Sequence, residues 1–260
     1  EVTLDRITLN DVMNYYETCC RSEGTVITVV GDIDPETACR LTEDFFGDWD
    51  NPAQPLPDVE IPEFSSDPGD TVISFMPGRV QAVVLISRNA PGIEMPDYPA
   101  FSTMNRILGR GIGSRLGHSV RDEQGLAYGI GSWSIAYDST GIFMTYLSTL
   151  ADYIPQATSS VIYEIERIST ENVRDIELRL AKANAVGGQA LSGMSYADQA
   201  SRFTGLYANG RPLDWDLTYL GKVLELTPDD LREAASRYFI SGEWFVSIAG
   251  GMQEEEFLSE

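Results

Sequence analysis

The chain has 260 residues, 43% of them apolar, which is enough for one large or two modest domains with a hydrophobic core. It carries 40 acidic against 18 basic residues, a net charge of −22, so phosphate backbones and anionic membranes would repel it. We therefore expect neither nucleic acid nor a membrane as a partner. The three cysteines lie within the first 40 residues and predict buried free thiols rather than a disulfide framework.

The first fifty residues predict a helix, a buried strand and a second helix. Thr8 is the predicted N-cap of the first helix, and Asp34 followed by Pro35 is a typical start for the second. A β-branched run between them indicates the strand. Residues 51–68 are rich in proline and predict an extended linker. The predicted ranges are 9–21 for the first helix, 25–30 for the strand and 35–46 for the second helix.

After the linker the sequence predicts strands first, then a run of helices, then one returning strand. This order favours an α+β fold, an antiparallel-rich sheet of about five or six strands with helices packed on one face. A glycine turn at 109–113 precedes a short helix from Ser114 to about Arg121. The predicted strands are 71–76, 80–87, 126–136, 141–149 and 244–249, and the predicted helices are 97–108, 152–168, 171–186, 195–208, 214–225 and 229–239.

The beginning of the chain matches a segment near residue 230 at a constant offset of 219 residues without a gap. Thr8 corresponds to Thr227 and Gly31 to Gly250, and helix start, helix length and strand phase all agree. We interpret this as an internal repeat with a period near 220 residues. Residues 1–50 are then the tail of a preceding copy, 51–68 the linker and 69–260 a complete copy, so we expect the rest of the first copy upstream of Glu1.

Residues 108–131 are the most densely specified part of the chain, with LGRGIGSRL, then Arg121, then GLAY ending in Tyr128. This segment resembles the form LGGGxSSRLFxxxRxxxGLAY of the C-terminal half of pitrilysin/insulinase-type metallopeptidases, the relatives of mitochondrial processing peptidase. The resemblance implies that Arg121 and Tyr128 reach a zinc site carried by the first half of the molecule. A guanidinium and a phenol there can donate hydrogen bonds to the carbonyl oxygen of a peptide under attack.

The same resemblance implies where the metal is held. The family's catalytic half carries H-x-x-E-H, whereas this chain has the single histidine His118 and no such motif. A catalytic zinc needs about three protein ligands, so we expect no metal in this chain, zinc in the missing N-terminal half or a partner subunit, and a half-buried structural His118. The glycine turn lacks the ending of a phosphate-binding loop, so we expect no nucleotide cofactor.

The resemblance thus predicts the zinc-lacking half of a zinc endopeptidase, inactive alone. Its predicted partners are a peptide substrate and an N-terminal catalytic half, in cis or as a homologous zinc-bearing subunit. The compartment we expect is bacterial cytoplasm or periplasm. A catalytically silent scaffold subunit of the same family stays open as the alternative, and an H-x-x-E-H encoded before Glu1 or in an adjacent gene would favour the protease. A small-molecule-binding α+β domain has no motif in its favour.

Overall fold

The computed structural model describes residues 3–50, 70–111, 113–239 and 244–251. These residues form two compact units. The first comprises residues 3–50 and 188–217, and the second comprises the described parts of 70–187 and 218–251. The predicted linker at 51–68 lies outside the described residues. None of the described helices is long and apolar enough to cross a membrane.

Helices of the first unit begin where the sequence predicts. The hydroxyl of Thr8 accepts a hydrogen bond from the backbone N–H of Asp11, whose carboxylate accepts one in return from the Thr8 N–H. Asp34 accepts from the N–H of Thr37 in the same way. The helices are α1 (Leu9–Cys19), α2 (Pro35–Phe46) and α6 (Tyr196–Ala208), with a short 3₁₀ turn at Leu4–Arg6.

Two predictions for the first unit are wrong. Residues 25–30 are extended but do not form a strand, because within the described part of the chain no other segment pairs with them, and Ile27 and Val29 are exposed rather than buried. The cysteines are free, as predicted, but Cys20 and Cys39 are exposed and Cys19 is only half-buried. Both errors have the same physical origin. Neither α1 nor α2 has a buried residue among those described, so these helices provide no core in which a strand or the cysteines could be buried.

The second unit is built on one sheet, and the predicted fold class is confirmed. The five described strands have the order β1-β5-β2-β4-β3, with β1 parallel to β5 and the other pairs antiparallel. β5 therefore lies between β1 and β2. The strands are β1 (Thr71–Phe75), β2 (Gln81–Pro91), β3 (Gly129–Ala136), β4 (Thr140–Leu150) and β5 (Phe245–Gly250).

Helices cover one face of this sheet. Side chains of β4 alternate between fully buried and half-buried positions, as expected when only one face is packed. Phe101, Phe143 and Phe239 meet edge-on or tilted at the centre of the core, with ring centroids 4.7–6.1 Å apart. The α-helices that pack on the sheet are α3 (Tyr98–Gly109), α4 (Ile154–Thr170) and α8 (Pro228–Tyr238). The chain also forms α5 (Asp175–Leu191), α7 (Trp215–Glu225), a 3₁₀ turn at Ala151–Tyr153 and a π-helix at Gly117–Glu123.

Candidate functional site

The segment that carries Arg121 is a π-helix rather than the ordinary short helix that the sequence predicts. The N–H of Gln124 donates to the carbonyl of Ser119, five residues earlier, at 3.2 Å. Leu116 and Val120 are fully buried and fix the helix to the core. π-Helical turns are rare and occur frequently at functional sites because they shift side chains relative to an α-helix.

A tight connection joins the π-helix to β3. Gly125 takes φ +67°, a left-handed conformation that favours glycine. The N–H of Leu126 donates to the carbonyl of Val120 at 3.0 Å, and the buried Thr149 hydroxyl donates to the carbonyl of Leu126 at 2.6 Å. The N–H of Tyr128 then donates to Ser148 in β4 at 2.9 Å. The backbone on both sides of Gly125 is therefore held by hydrogen bonds.

Arg121 and Tyr128 project from this fixed backbone. Tyr128 is 64% exposed, a high value for a tyrosine beside a strand, and Arg121 is 33% exposed. Nε of Arg121 donates to Oδ1 of Asp122 at 2.8 Å, which raises the pKa of Arg121 and lowers that of Asp122. Among the described residues no hydrogen bond joins Arg121 to Tyr128. The structure places the two side chains on one short segment, with the Tyr128 hydroxyl and the terminal nitrogens of Arg121 available as donors.

The glycine turn before the π-helix packs against the sheet. A Cβ added at Gly109 would lie 2.4 Å from the backbone nitrogen of Ser132 in β3 and closer still to its hydroxyl. Gly111 has φ +94°. The turn therefore needs glycine for close packing at one position and for a left-handed backbone at another, as the sequence predicts.

An ion pair that the sequence analysis missed connects the turn to α5. Nε and Nη2 of Arg115 donate to the two carboxylate oxygens of Glu177, each at 3.0 Å, and both side chains are buried. The backbone N–H of Arg174 donates to the same carboxylate at 2.8 Å. Burial alone would raise the pKa of Glu177, but these hydrogen bonds outweigh it and lower the pKa to about 2. The partners are 62 residues apart, and no local pattern indicates such a pair.

His118 is not half-buried, and the prediction for it is wrong. Its side chain is 68% exposed, with Nε2 3.3 Å from Oε1 of Glu123. The buried Leu116 and Val120 take the inner face of the helix, and His118 lies on the other side. Nowhere in the described residues do three or more His, Cys, Asp or Glu side chains form a group that could hold a metal ion. These donors do not fit a catalytic zinc.

Comparison with curated proteins finds relatives that are named as zinc proteases. The chain is 24% identical over 204 residues to the uncharacterized zinc protease YmxG of Bacillus subtilis, covering 78% of this chain and 48% of the relative. It is 37% identical over 76 residues to an uncharacterized zinc protease of Rickettsia felis, covering 29% of this chain and 18% of the relative. The chain thus spans about half the length, or less, of these relatives.

Comparison with solved structures confirms the fold. A protease from Helicobacter pylori matches with a TM-score of 0.86 at 19% identity, over 95% of this chain and 60% of that one. A peptidase M16 inactive domain from Pseudomonas fluorescens matches with a TM-score of 0.81 at 23% identity, over 95% of this chain and 58% of that one.

Comparison with protein families finds a match that includes residues 108–131, the segment on which the resemblance rests. The family described as "Peptidase M16 inactive domain" matches residues 6–185, which include α1, the glycine turn, the π-helix and the β3–β4 hairpin. The match therefore covers more than half of the chain. The chain belongs to the peptidase M16 inactive domain family.

Proposed function

We propose that this chain is the zinc-lacking half of a zinc endopeptidase and that it binds the substrate peptide through Arg121 and Tyr128. One observation carries the proposal: a hydrogen-bonded backbone, anchored by the buried Val120 and Leu126, presents these two side chains with donor groups open to solvent. The family membership supports the proposal, as do the zinc protease names of the relatives.

The two side chains suit the chemistry of peptide hydrolysis. Attack on a peptide bond places negative charge on the carbonyl oxygen, and preorganised donors stabilise that charge. Arg121 keeps its charge at every working pH, because its hydrogen bond to Asp122 raises an already high pKa. Tyr128 offers a neutral hydroxyl. Both can donate to the reacting carbonyl or to neighbouring carbonyls of a bound peptide.

The zinc is expected outside this chain, in a preceding half or on a partner subunit. The single exposed histidine and the lack of a donor cluster in the described residues support this placement. The length comparison supports it too, because relatives named as zinc proteases extend well beyond the region that this chain matches. By itself the chain should show no peptidase activity.

The test is peptidase activity of the full-length gene product, comparing wild type with Arg121→Ala and Tyr128→Phe. We expect each variant to lose about tenfold or more in kcat/KM with unchanged zinc content, since one preorganised donor is typically worth about 10²–10³ in rate. Arg179→Ala and Tyr163→Phe are matched controls, because both residues are exposed on helices of the same unit. Site variants as active as these controls would contradict the proposal.

The scaffold alternative makes a different prediction in the same experiment. A silent partner subunit would show no activity in the wild type, and neither the sequence upstream of Glu1 nor an adjacent gene would encode an H-x-x-E-H. No observation of the structure favours this alternative over the peptidase half.

We also propose that residues 1–50 are the tail of a preceding repeat, residues 51–68 a linker and 69–260 a complete repeat. Helix α1 and helix α8 are both 11 residues long and lie 219 positions apart, and both begin with a Thr–Asp capping box with hydrogen bonds of 2.7–3.3 Å. Equivalent positions differ in burial, and residues 25–30 form no strand whereas their counterparts form β5. Leu231, Val246 and Ile248 are buried, whereas their counterparts Val12, Ile27 and Val29 are exposed.

This difference in burial supports the proposal that the preceding copy supplies the surface against which α1 and residues 25–30 pack. An apolar pattern that builds a core around α8 and β5 should also build one around α1 and residues 25–30 once a sheet is present for it. Hydrogen exchange tests this directly. Amides of residues 25–30 should exchange fast in this chain and become protected in a product that includes the preceding residues. Equal, fast exchange in both would contradict the repeat.

A further inference from the structure

A cavity of about 390 Å³ lies in the second unit between the C-terminal end of α3, the glycine turn and α5. Its polar lining includes Arg106 and Arg110 at the end of α3, Ser114 after the glycine turn, and Asn184 on α5. Ile107, Leu180 and Ala181 provide the apolar part of the wall. The cavity therefore combines an apolar body with polar groups that converge, as ligand sites do.

The two arginines of this wall have no carboxylate partner among the described residues. Arg106 lies in the last turn of α3, and Arg110 is the exposed residue directly after the helix. Neither guanidinium makes a hydrogen bond or ion pair with any other described residue. In a chain with 40 acidic residues and 18 basic ones, most arginines find a carboxylate partner, and these two do not. The helix dipole favours cations at this end of α3 but does not require that they face a cavity.

The local charge of the cavity is positive despite the acidic surface. Glu177 also lines the wall, but its carboxylate already accepts from Arg115 and Arg174. Nη1 of Arg115 is buried and has no hydrogen-bond partner among the described residues, so a further cationic donor lies beside the wall.

We propose that this cavity binds a carboxylate of a peptide, through Arg106 and Arg110 with Asn184 as a third donor. Planar guanidinium groups match the two oxygens of a carboxylate, and the apolar wall accommodates the aliphatic part of the residue that carries it. The proposal rests on the proposed function, since it names acidic or C-terminal residues as a preference of the same peptide-binding half. Ser114, which also lines the cavity, lies seven residues before Arg121 in the sequence.

The experiment measures binding of fluorescently labelled pentapeptides to this chain by anisotropy. Four alanine-based probes are compared: a free C-terminal carboxylate, its C-terminal amide, and amidated peptides with glutamate or glutamine at the centre. At least one carboxylate probe should bind tenfold or more tightly than its neutral match, although the net charge of −22 repels it. The free-terminus and glutamate probes separate the two sources of the carboxylate. Equal affinities across all four probes would overturn the proposal.

Substitutions of the two arginines test whether the preference for a carboxylate depends on this cavity. Arg106→Gln combined with Arg110→Gln should abolish it, whereas Arg179→Gln removes a nearby exposed charge on α5 and should leave it intact. A preference that survives in the double variant would overturn the site. The same preference must appear in kcat/KM of the full-length product, and its absence there would overturn the proposal. If Arg121→Ala lowers activity while carboxylate and neutral probes bind alike, the proposed function stands and this site is wrong.

Discussion

The ion pair between Arg115 and Glu177 should stabilise the protein strongly and in a pH-dependent way. It fastens the start of the π-helix to α5 by two hydrogen bonds of 3.0 Å, and its side chains are only 9% and 12% exposed. The perturbation is Glu177→Gln, which keeps the shape and removes the charge. At neutral pH this leaves the buried Arg115 without a charged partner, and we expect a loss of about 3–5 kcal/mol in the free energy of unfolding.

The pH dependence follows from the lowered pKa of Glu177. The pKa falls from 4.5 to about 2 on folding, which corresponds to about 3 kcal/mol of stability from this group. Because the folded-state pKa is the lower one, this stability is fully present above about pH 4.5 and is lost as the pH falls towards 2. By pH 3 about 2 kcal/mol of it should be gone. The Glu177→Gln variant lacks the group and so lacks this part of the acid sensitivity.

Urea unfolding followed by circular dichroism between pH 7 and pH 3 measures both effects. The difference between wild type and variant should shrink by about 2 kcal/mol over that range. Glu233→Gln is the control, because Glu233 is exposed and its ion pair with Arg237 is long, at 3.8 Å. This substitution should lower the free energy of unfolding by less than about 1 kcal/mol at any pH. A Glu177→Gln variant that behaves like this control would refute the reasoning.

Four further substitutions, in two matched pairs, test the packing and the helix caps. Gly109→Ala places a Cβ 2.4 Å from the backbone of Ser132 and should lower the free energy of unfolding in urea by about 1–3 kcal/mol. At Gly113 an added Cβ meets no described atom within 4 Å, so Gly113→Ala should change stability by less than about 0.5 kcal/mol. Equal effects of the two substitutions would contradict the close approach at Gly109. Thr227→Ala should lower the stability of the second unit by about 1 kcal/mol. Thr8→Ala should instead speed local hydrogen exchange in α1. A loss of global stability in the Thr8→Ala variant would contradict that expectation.

Helices were predictable because their signals are local. Thr8, Asp34 and Thr227 each cap a helix within a residue or two of the expected start, since a side chain that accepts from an N–H three residues ahead needs nothing distant. Residues 25–30 show the opposite case. Their β-branched composition is right for a strand, but a strand exists only beside another strand, and sequence composition does not say whether one is present.

The choice of Arg121 and Tyr128 as site residues stays a prediction, and the sequence did not indicate the geometry that holds them. Arg121 and Tyr128 came from a family pattern, and the glycine requirements of 109 and 111 came from backbone chemistry. The π-helix was not predictable, because one extra residue in a turn leaves almost the same apolar spacing as an α-helix. The Arg115–Glu177 pair joins residues distant in sequence, so only the fold brings them together.

The position of β5 has a consequence for how the second unit folds. Strand β1 has β5 as its only described partner, and β2 has β5 on one side, yet β5 begins roughly 95 residues after β4 ends. At about 5–20 residues per second, a ribosome needs about 5–20 s to add that stretch. During this time the hairpin of β3 and β4 with β2 can form, while one edge of β2 stays open and β1 has nothing to pair with. The rate at which the sheet is completed is therefore limited by a long-range contact. Until β5 is synthesised, the open edge of β2 in a nascent chain should need protection from pairing with other chains.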